Sequence, residues 1–284
     1  MAERADFALG TVEASVVGQA LGVDVRLFPL RVRNTSIDPE RFTAIIRRVY
    51  TDLEKRRLSI EGELNPAIRT AFALLANHRI TVSVNGVDGL GEDIAVLTVT
   101  DGAQALGITQ APGDDLLQFA LFADEDLVQV IAGVLPRMRP ASTGRRTLVQ
   151  KEERVVSAMT ARRQAEAEFD EEETDAFGNL ELTAVVRARP ETPQAPRGEE
   201  ADVAVLERVL SGTRLGGGHI IVSGIGRRGE RLRSTPLSWL DTEDGRYLVW
   251  TETDEASGAV IGHYDPVSQS GVANAVRDAI ADIY

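Results

Sequence analysis

The chain has 284 residues with 44 acidic against 31 basic side chains, a formal net charge of -13. That excess of carboxylates repels phosphate backbones and argues against nucleic acid as a partner. The sequence holds no cysteine, so disulfides, thiolate metal sites and cysteine nucleophiles are excluded together, and a reducing, cytoplasmic setting is expected.

The opening "MAERADFALGTVEAS" carries charge throughout and lacks an apolar h-region, so a signal peptide is not expected. No apolar run approaches the roughly 18–20 residues of a membrane span, and no membrane insertion is expected. A strand-like "DFAL" leads into a helix carrying Val16 and Val17. Asp38, Pro39 and Glu40 then supply an N-cap, a first-turn proline and a first-turn acid. Behind them Phe42, Ile45, Ile46, Val49 and Leu53 form one helical stripe. Asn65-Pro66 opens the next helix, with Ile68, Ala71, Phe72 and Leu75 inward.

From residue 80 the period changes to two. Ile80, Val82 and Val84 alternate with polar residues, as do Leu97 and Val99, and Asp101-Gly102 reads as a type I′ hairpin turn. "AQALGITQ" and "LLQFALFA" complete a four-strand meander, and a helix starts at Asp124 with Leu127, Val128, Ile131 and Leu135 inward. The C-terminal half repeats this order. "HIIVSGI", "RSTPLSWLD", "RYLVWTET" and "GAVIGHY" read as strands, Asp244-Gly245 as a hairpin turn, and Asp265-Pro266 as the start of a closing helix. The offset between corresponding elements is nearly constant and close to half the chain length. The expected fold is α+β, with two similar halves related by a pseudo-twofold axis and antiparallel sheet covered by helices. The halves span 1–136 and 200–284. Between them, 137–199 holds a helical stretch at 147–163 and an acidic, proline-rich linker at 165–198, and the whole reads as one integrated domain.

Within "SGIGRRGERLRS" the residues Gly224, Gly226 and Gly229 match the G-x-G-x-x-G dinucleotide fingerprint. That loop works only where it opens a helix, whose amides hold the pyrophosphate. Here no apolar helical stripe follows, Pro236 intervenes, and alternation resumes in "LSWL". The glycines therefore read as a turn between antiparallel strands, like "NGVDGLGED" at the equivalent place in the first half. Its arginines (227, 228, 231 and 233) either hold an anion or an acidic partner, or form a solvated hairpin edge. His78, His219 and His263 are scattered without a second metal-type ligand at helical spacing; His78 suits a helix C-terminus. Acid pairs such as Asp114-Asp115 and Glu152-Glu153 read as solvated. No cofactor, metal site or catalytic residue is assigned, and the chain reads as a non-enzyme. Trp239 and Tyr247 lie at alternating strand spacing, suited to sheet packing or to anchoring a protein partner.

The block "LSWLDTEDGRYLVWT" resembles the C-terminal signature of the EspG family, the chaperones of the type VII (ESX) secretion pathway in actinobacteria. "LGTVEASVVGQALGVDVRLFPL", ending in Phe28-Pro29-Leu30, and "LNPAIRTAFALLANHRITVSVNG" resemble its N-terminal half. The resemblance covers most of 7–136, 147–162 and 200–284. It implies a central antiparallel sheet flanked by helical bundles, and a cytosolic, non-catalytic protein. Such a protein grips the apolar tip of the PPE subunit in a PE–PPE heterodimer and keeps the pair soluble for the secretion machinery. The implied contact surface includes the loop after the second strand, at Val87, Asp88 and Leu90, and parts of the sheet and C-terminal half. Arg231, Arg233, Trp239 and Tyr247 are the candidates there. The loop is short for the family, which puts client choice in question. Two other readings stand beside this one: a small-molecule or nucleotide-binding enzyme built on the 224–233 hairpin, and a structural module that forms homodimers.

Overall fold

The computed structural model of the chain describes residues 4–32, 39–150, 212–253 and 260–283. The stretch 151–163 and the linker 165–198 lie outside these residues, as does the N-cap expected at Asp38. The described N-terminal elements are β1 (Ala5–Gly10), α1 (Thr11–Leu21), α2 (Pro39–Lys55), β2 (Ser59–Ile60), β3 (Glu63–Leu64), α3 (Pro66–Asn77), β4 (Ile80–Val87), β5 (Asp93–Thr100), β6 (Gln104–Gln110), β7 (Leu116–Ala123) and α4 (Leu127–Val134). After them come β8 (Arg146–Gln150), β9 (Arg214–Ile225), β10 (Arg231–Arg233), β11 (Leu237–Thr242), β12 (Gly245–Thr253), β13 (Val260–Pro266) and a last helix, α5 (Gln269–Ala281).

All strands but β2 and β3 join one sheet of eleven, in the order β1-β7-β6-β5-β4-β9-β11-β12-β13-β8, with β10 paired to the end of β9. Every pairing in it is antiparallel. Outward from the β4–β9 pair, each side runs through a meander of four strands, counting β4 or β9, and ends on a strand from earlier in the chain, β1 on one side and β8 on the other. A helix follows the fourth strand on each side, α4 after β7 and α5 after β13.

Helices cover both faces of β5, β6 and β7, while the central pair β4 and β9 is covered by helices on one face, the one toward α4 and α5. Leu97 and Val99 of β5 turn toward α1, α2 and α3, joining Phe72, Leu106, Phe119 and Leu53 in one apolar cluster. Phe119 stacks between Phe7 and Phe72, with ring centroids 4.9 and 6.0 Å away. Val96 turns the other way, with Ile80, Val82, Val84, Ile220 and Val222, onto Ile131 of α4 and Val272 and Val276 of α5. β5 to β7 bury apolar side chains on both faces, whereas β4 keeps its alternation, with Ile80, Val82 and Val84 on the buried face. Each fully buried large apolar side chain contributes about 1.5–3 kcal/mol.

Local signals explain most boundaries. Asn65 Oδ1 accepts from the Ala67 amide at 2.9 Å, capping α3 ahead of Pro66. His78, next to the α3 C-terminus, makes a 2.8 Å contact from Nδ1 to the Leu75 carbonyl. Four expectations need correction. The Asp265-Pro266 pair ends β13, and Ser268 is the true N-cap of α5, accepting from the Gly271 amide at 3.2 Å. Residues 147–150 belong to β8, where the helical stretch was expected to begin. Asp101-Gly102 does not make a type I′ turn, since only Gly102 has positive φ, and the second hairpin turn is shifted by one residue: Thr242 pairs with Gly245, so the loop is Glu243-Asp244 and not Asp244-Gly245. A turn with the required signs lies instead at Glu61-Gly62, φ 52° and 81°, between β2 and β3.

Candidate partner-binding surface

The strand order places the expected site residues at three different locations. β4 and β9 run antiparallel, Val87 opposite Gly217 and Ile80 opposite Gly224. The 88–92 loop therefore sits at the start of β9 and the arginine hairpin at its end. At about 3.3 Å per residue the two are about 23 Å apart, so Val87, Asp88 and Leu90 do not share a surface patch with Arg231 and Arg233.

The loop is tight. The Asp88 amide donates to the Glu92 carbonyl at 2.9 Å, and Asp88 Oδ1 accepts from the amides of Leu90 and Glu92 at 2.8 and 2.9 Å. Asp88 thus holds the turn rather than offering its carboxylate outward. β9 backs the loop closely: a Cβ on Gly89 would meet the Leu215 carbonyl oxygen at 2.8 Å, and Gly216, at φ 153°, lies against Val87. The result is a rigid tip that lifts Leu90 into solvent at 88% exposure, with Val87 at 42% beside it. Phe28 is another exposed apolar residue on this side. Its carbonyl accepts from Ser83 Oγ at 3.2 Å, on the face of β4 that Val87 shares by alternation. Arg31 pairs with Asp93 at 3.0 Å where β5 leaves the loop. Phe28 carries no periodic signal that marks it as a surface residue; the aromatic-Pro-Leu step was its only hint.

Trp239 and Tyr247 are interior. Trp239 is 2% exposed. Its ring lies over Gly86 and Gly218, where an added Cβ would come within 2.8 and 2.4 Å of it. Tyr247 is fully buried, edge-on to Tyr264, and its hydroxyl donates to Asp244 Oδ2 at 2.7 Å. Burial, then that bond, push its pKa up to about 12. This corrects the expectation that either aromatic anchors a partner: sheet packing takes both.

Sequence reading missed a buried ion pair next to them. Arg246 and Asp241 face each other across the β11–β12 hairpin. Nε and Nη2 of Arg246 donate to Oδ1 and Oδ2 of Asp241, both at 2.6 Å, with side chains 0% and 2% exposed. Nη2 also donates to the Pro136 carbonyl at 2.8 Å, and the Arg246 amide donates to the Arg139 carbonyl at 2.8 Å. The pair therefore pins the crossing segment between α4 and β8. Asp244 adds a second clamp, accepting from Ser142 Oγ and from the Thr143 amide.

Burial raises the Asp244 pKa, but bonds from Ser142, Tyr247 and Thr143 outweigh it and hold the carboxyl well below its usual value. Asp265 is lowered too, first by its bond from Arg145 and then by Trp250, whose indole donates at 3.1 Å. Folded-state values below the unfolded ones mean stability that is present above the ordinary carboxylate pKa and lost as pH falls through the folded values. Urea midpoints should therefore drop steeply below about pH 4, and the drop should be shallower in Asp244→Asn; parallel profiles would contradict this assignment.

Among the described residues no group of three or more His, Asp or Glu side chains is placed to hold a metal ion. Nor is any helix there long and apolar enough to cross a membrane. The Gly224–Gly229 segment forms the turn from β9 into β10, with the Gly226 amide donating to the Glu230 carbonyl at 2.8 Å and no helix behind it.

Fold and surface together define an α+β scaffold: one antiparallel sheet clad in helices, with candidate contact residues on loops at opposite ends of its central strands. The chain belongs to the EspG family, whose model matches residues 11–278. Its structure is similar to that of the Mycobacterium tuberculosis type VII secretion system chaperone EspG5, solved in complex with a PE25-PPE41 dimer. The TM-score is 0.61 at 13% identity, over 99% of this chain and 97% of that one. At that identity the likeness is one of fold. No curated protein sequence matches the chain.

Proposed function

We propose that this chain is a non-catalytic chaperone of type VII secretion that binds a PE–PPE-type heterodimer in the cytoplasm and keeps it soluble for export. The observation that carries this reading is the EspG-family match over 11–278, on a fold shared with a chaperone solved bound to such a pair. The physical task is to cover an apolar surface that aggregates when bare, and it requires no nucleotide. The rigid tip at Val87 and Leu90 suits that task. A preformed apolar knob loses little conformational freedom on binding, and burying a leucine of this size contributes about 1.5–3 kcal/mol.

Phe28, on the same side, extends the contact. The short 88–92 loop reaches less far than a long one and restricts the clients that fit. Leu90→Glu is the direct test. Co-expressed with its PE–PPE-type pair, the variant should recover at least about tenfold less soluble pair than the parent chain, while its own thermal melt is unchanged. Full recovery of the pair by Leu90→Glu would remove the loop from the interface.

A further inference from the structure

The β9–β10 hairpin is a basic island on an acidic chain, with Arg227, Arg228, Arg231 and Arg233 set against Glu230 alone within 227–233. Its register places Arg231 opposite Ile225, Arg233 opposite Ser223, and Leu232 opposite Gly224. Residues directly opposite in an antiparallel pair share a face, so the hairpin has two unlike sides. Leu232 packs onto the cluster of Ile80, Ile220 and Ile283. The other side presents Arg231 and Arg233 to solvent around Ile225, which is 45% exposed.

Arg227, Arg228 and Arg231 are exposed and enter no ion pair among the described residues. The turn between them is fixed. The Gly229 amide donates to the Gly226 carbonyl at 3.0 Å, Glu230 accepts from the Arg228 amide at 2.9 Å, and the Ile225 amide donates to the Arg79 carbonyl at 3.0 Å. The cations are therefore displayed on a preformed ribbon anchored to the start of β4.

We propose that this face of the hairpin binds an acidic segment of a partner protein, one carrying an apolar side chain for Ile225, at a site separate from the 87–92 loop. Guanidinium groups pair with carboxylates in charge-assisted bonds, and an apolar residue within the patch selects a peptide over a bare polyanion. A nucleic acid fits less well. Its phosphates would continue past four arginines onto a chain of net charge -13, and unscreened repulsion acts over about 8–10 Å. With about 23 Å of β9 between the two sites, the hairpin and the loop can be occupied together, so the chain can bridge a client at one end and an acidic partner at the other. This inference stands independently of what the loop binds.

The test uses the full chain and a fluorescein-labelled peptide of six glutamates with two interior leucines, followed by anisotropy at about 50 and about 500 mM salt. Binding should be present at low salt and weakened at high salt. Combined Arg231→Glu and Arg233→Glu should weaken it at least about tenfold, Ile225→Ala should weaken it less, and Leu90→Glu at the far end should leave it unchanged. If the charge-reversed chain melts early, Arg231→Gln with Arg233→Gln takes its place, with a loss of binding still expected. Retention of the peptide by both double variants would overturn the proposal. So would equal binding of an all-glutamate peptide, or tighter binding of a single-stranded DNA of the same length.

Discussion

Arg246→Ala should destabilise the protein by about 3–5 kcal/mol, because removing one partner of a buried pair strands the other charge in the interior. Asp241 would keep its carboxylate at 2% exposure with both guanidinium bonds gone, and the Pro136 carbonyl would lose its donor as well. Such a loss is a large share of the roughly 5–15 kcal/mol that holds a domain folded. Urea titration of the parent chain and the variant measures it directly. Combined Asp241→Leu and Arg246→Met should cost much less than either truncation alone, since no charge is left unpaired. A loss under about 1 kcal/mol for Arg246→Ala would mean that water reaches the pair.

Trp239→Ala should cost a comparable amount, about 3–5 kcal/mol. The indole fills the space that glycine leaves at Gly86 and Gly218 and closes the cluster beneath α4 and α5. Its removal opens a cavity walled by the backbones of β4 and β9, which cannot collapse without breaking the pairing at the centre of the sheet. The complementary change, Gly218→Ala, places a Cβ 2.2 Å from the Asn85 carbonyl oxygen and 2.4 Å from the indole, and it should destabilise through overpacking. Chemical denaturation of the two variants checks both halves of the argument. Near-neutral values would show that the ring is not held between the strands.

Much of the fold was legible in the sequence because burial on one or two faces leaves a period. β4 to β7 fall where alternation and turn residues put them, and α3 begins at its Asn-Pro cap. Misreadings arose where a tertiary partner took over a local signal. Asp265 looks like an N-cap, yet its carboxylate is engaged by Arg145, just before β8, and by Trp250 of β12. Asp244 looks like a turn residue, yet it also clamps Ser142 and Thr143 from the crossing segment. The Glu61-Gly62 turn was hidden because glutamate is not a residue that positive φ favours.

The site was legible only in pieces. The loop and the arginine hairpin each stand out along the chain, but their separation depends on β4 pairing with β9 across about half the sequence, a long-range fact with no local trace. The buried pair left one readable sign: opposite charges, Asp241 and Arg246, flanking a hairpin loop at positions that face each other across the strands.

The most direct measurement of the proposed chaperone role is the mass of what co-purifies when the chain is co-expressed with a PE–PPE-type pair, by size-exclusion chromatography with light scattering. The account predicts one complex of one chain with one heterodimer, and a pair that is insoluble when expressed without the chain. Separate elution of the chain and a pair that is soluble on its own would contradict it.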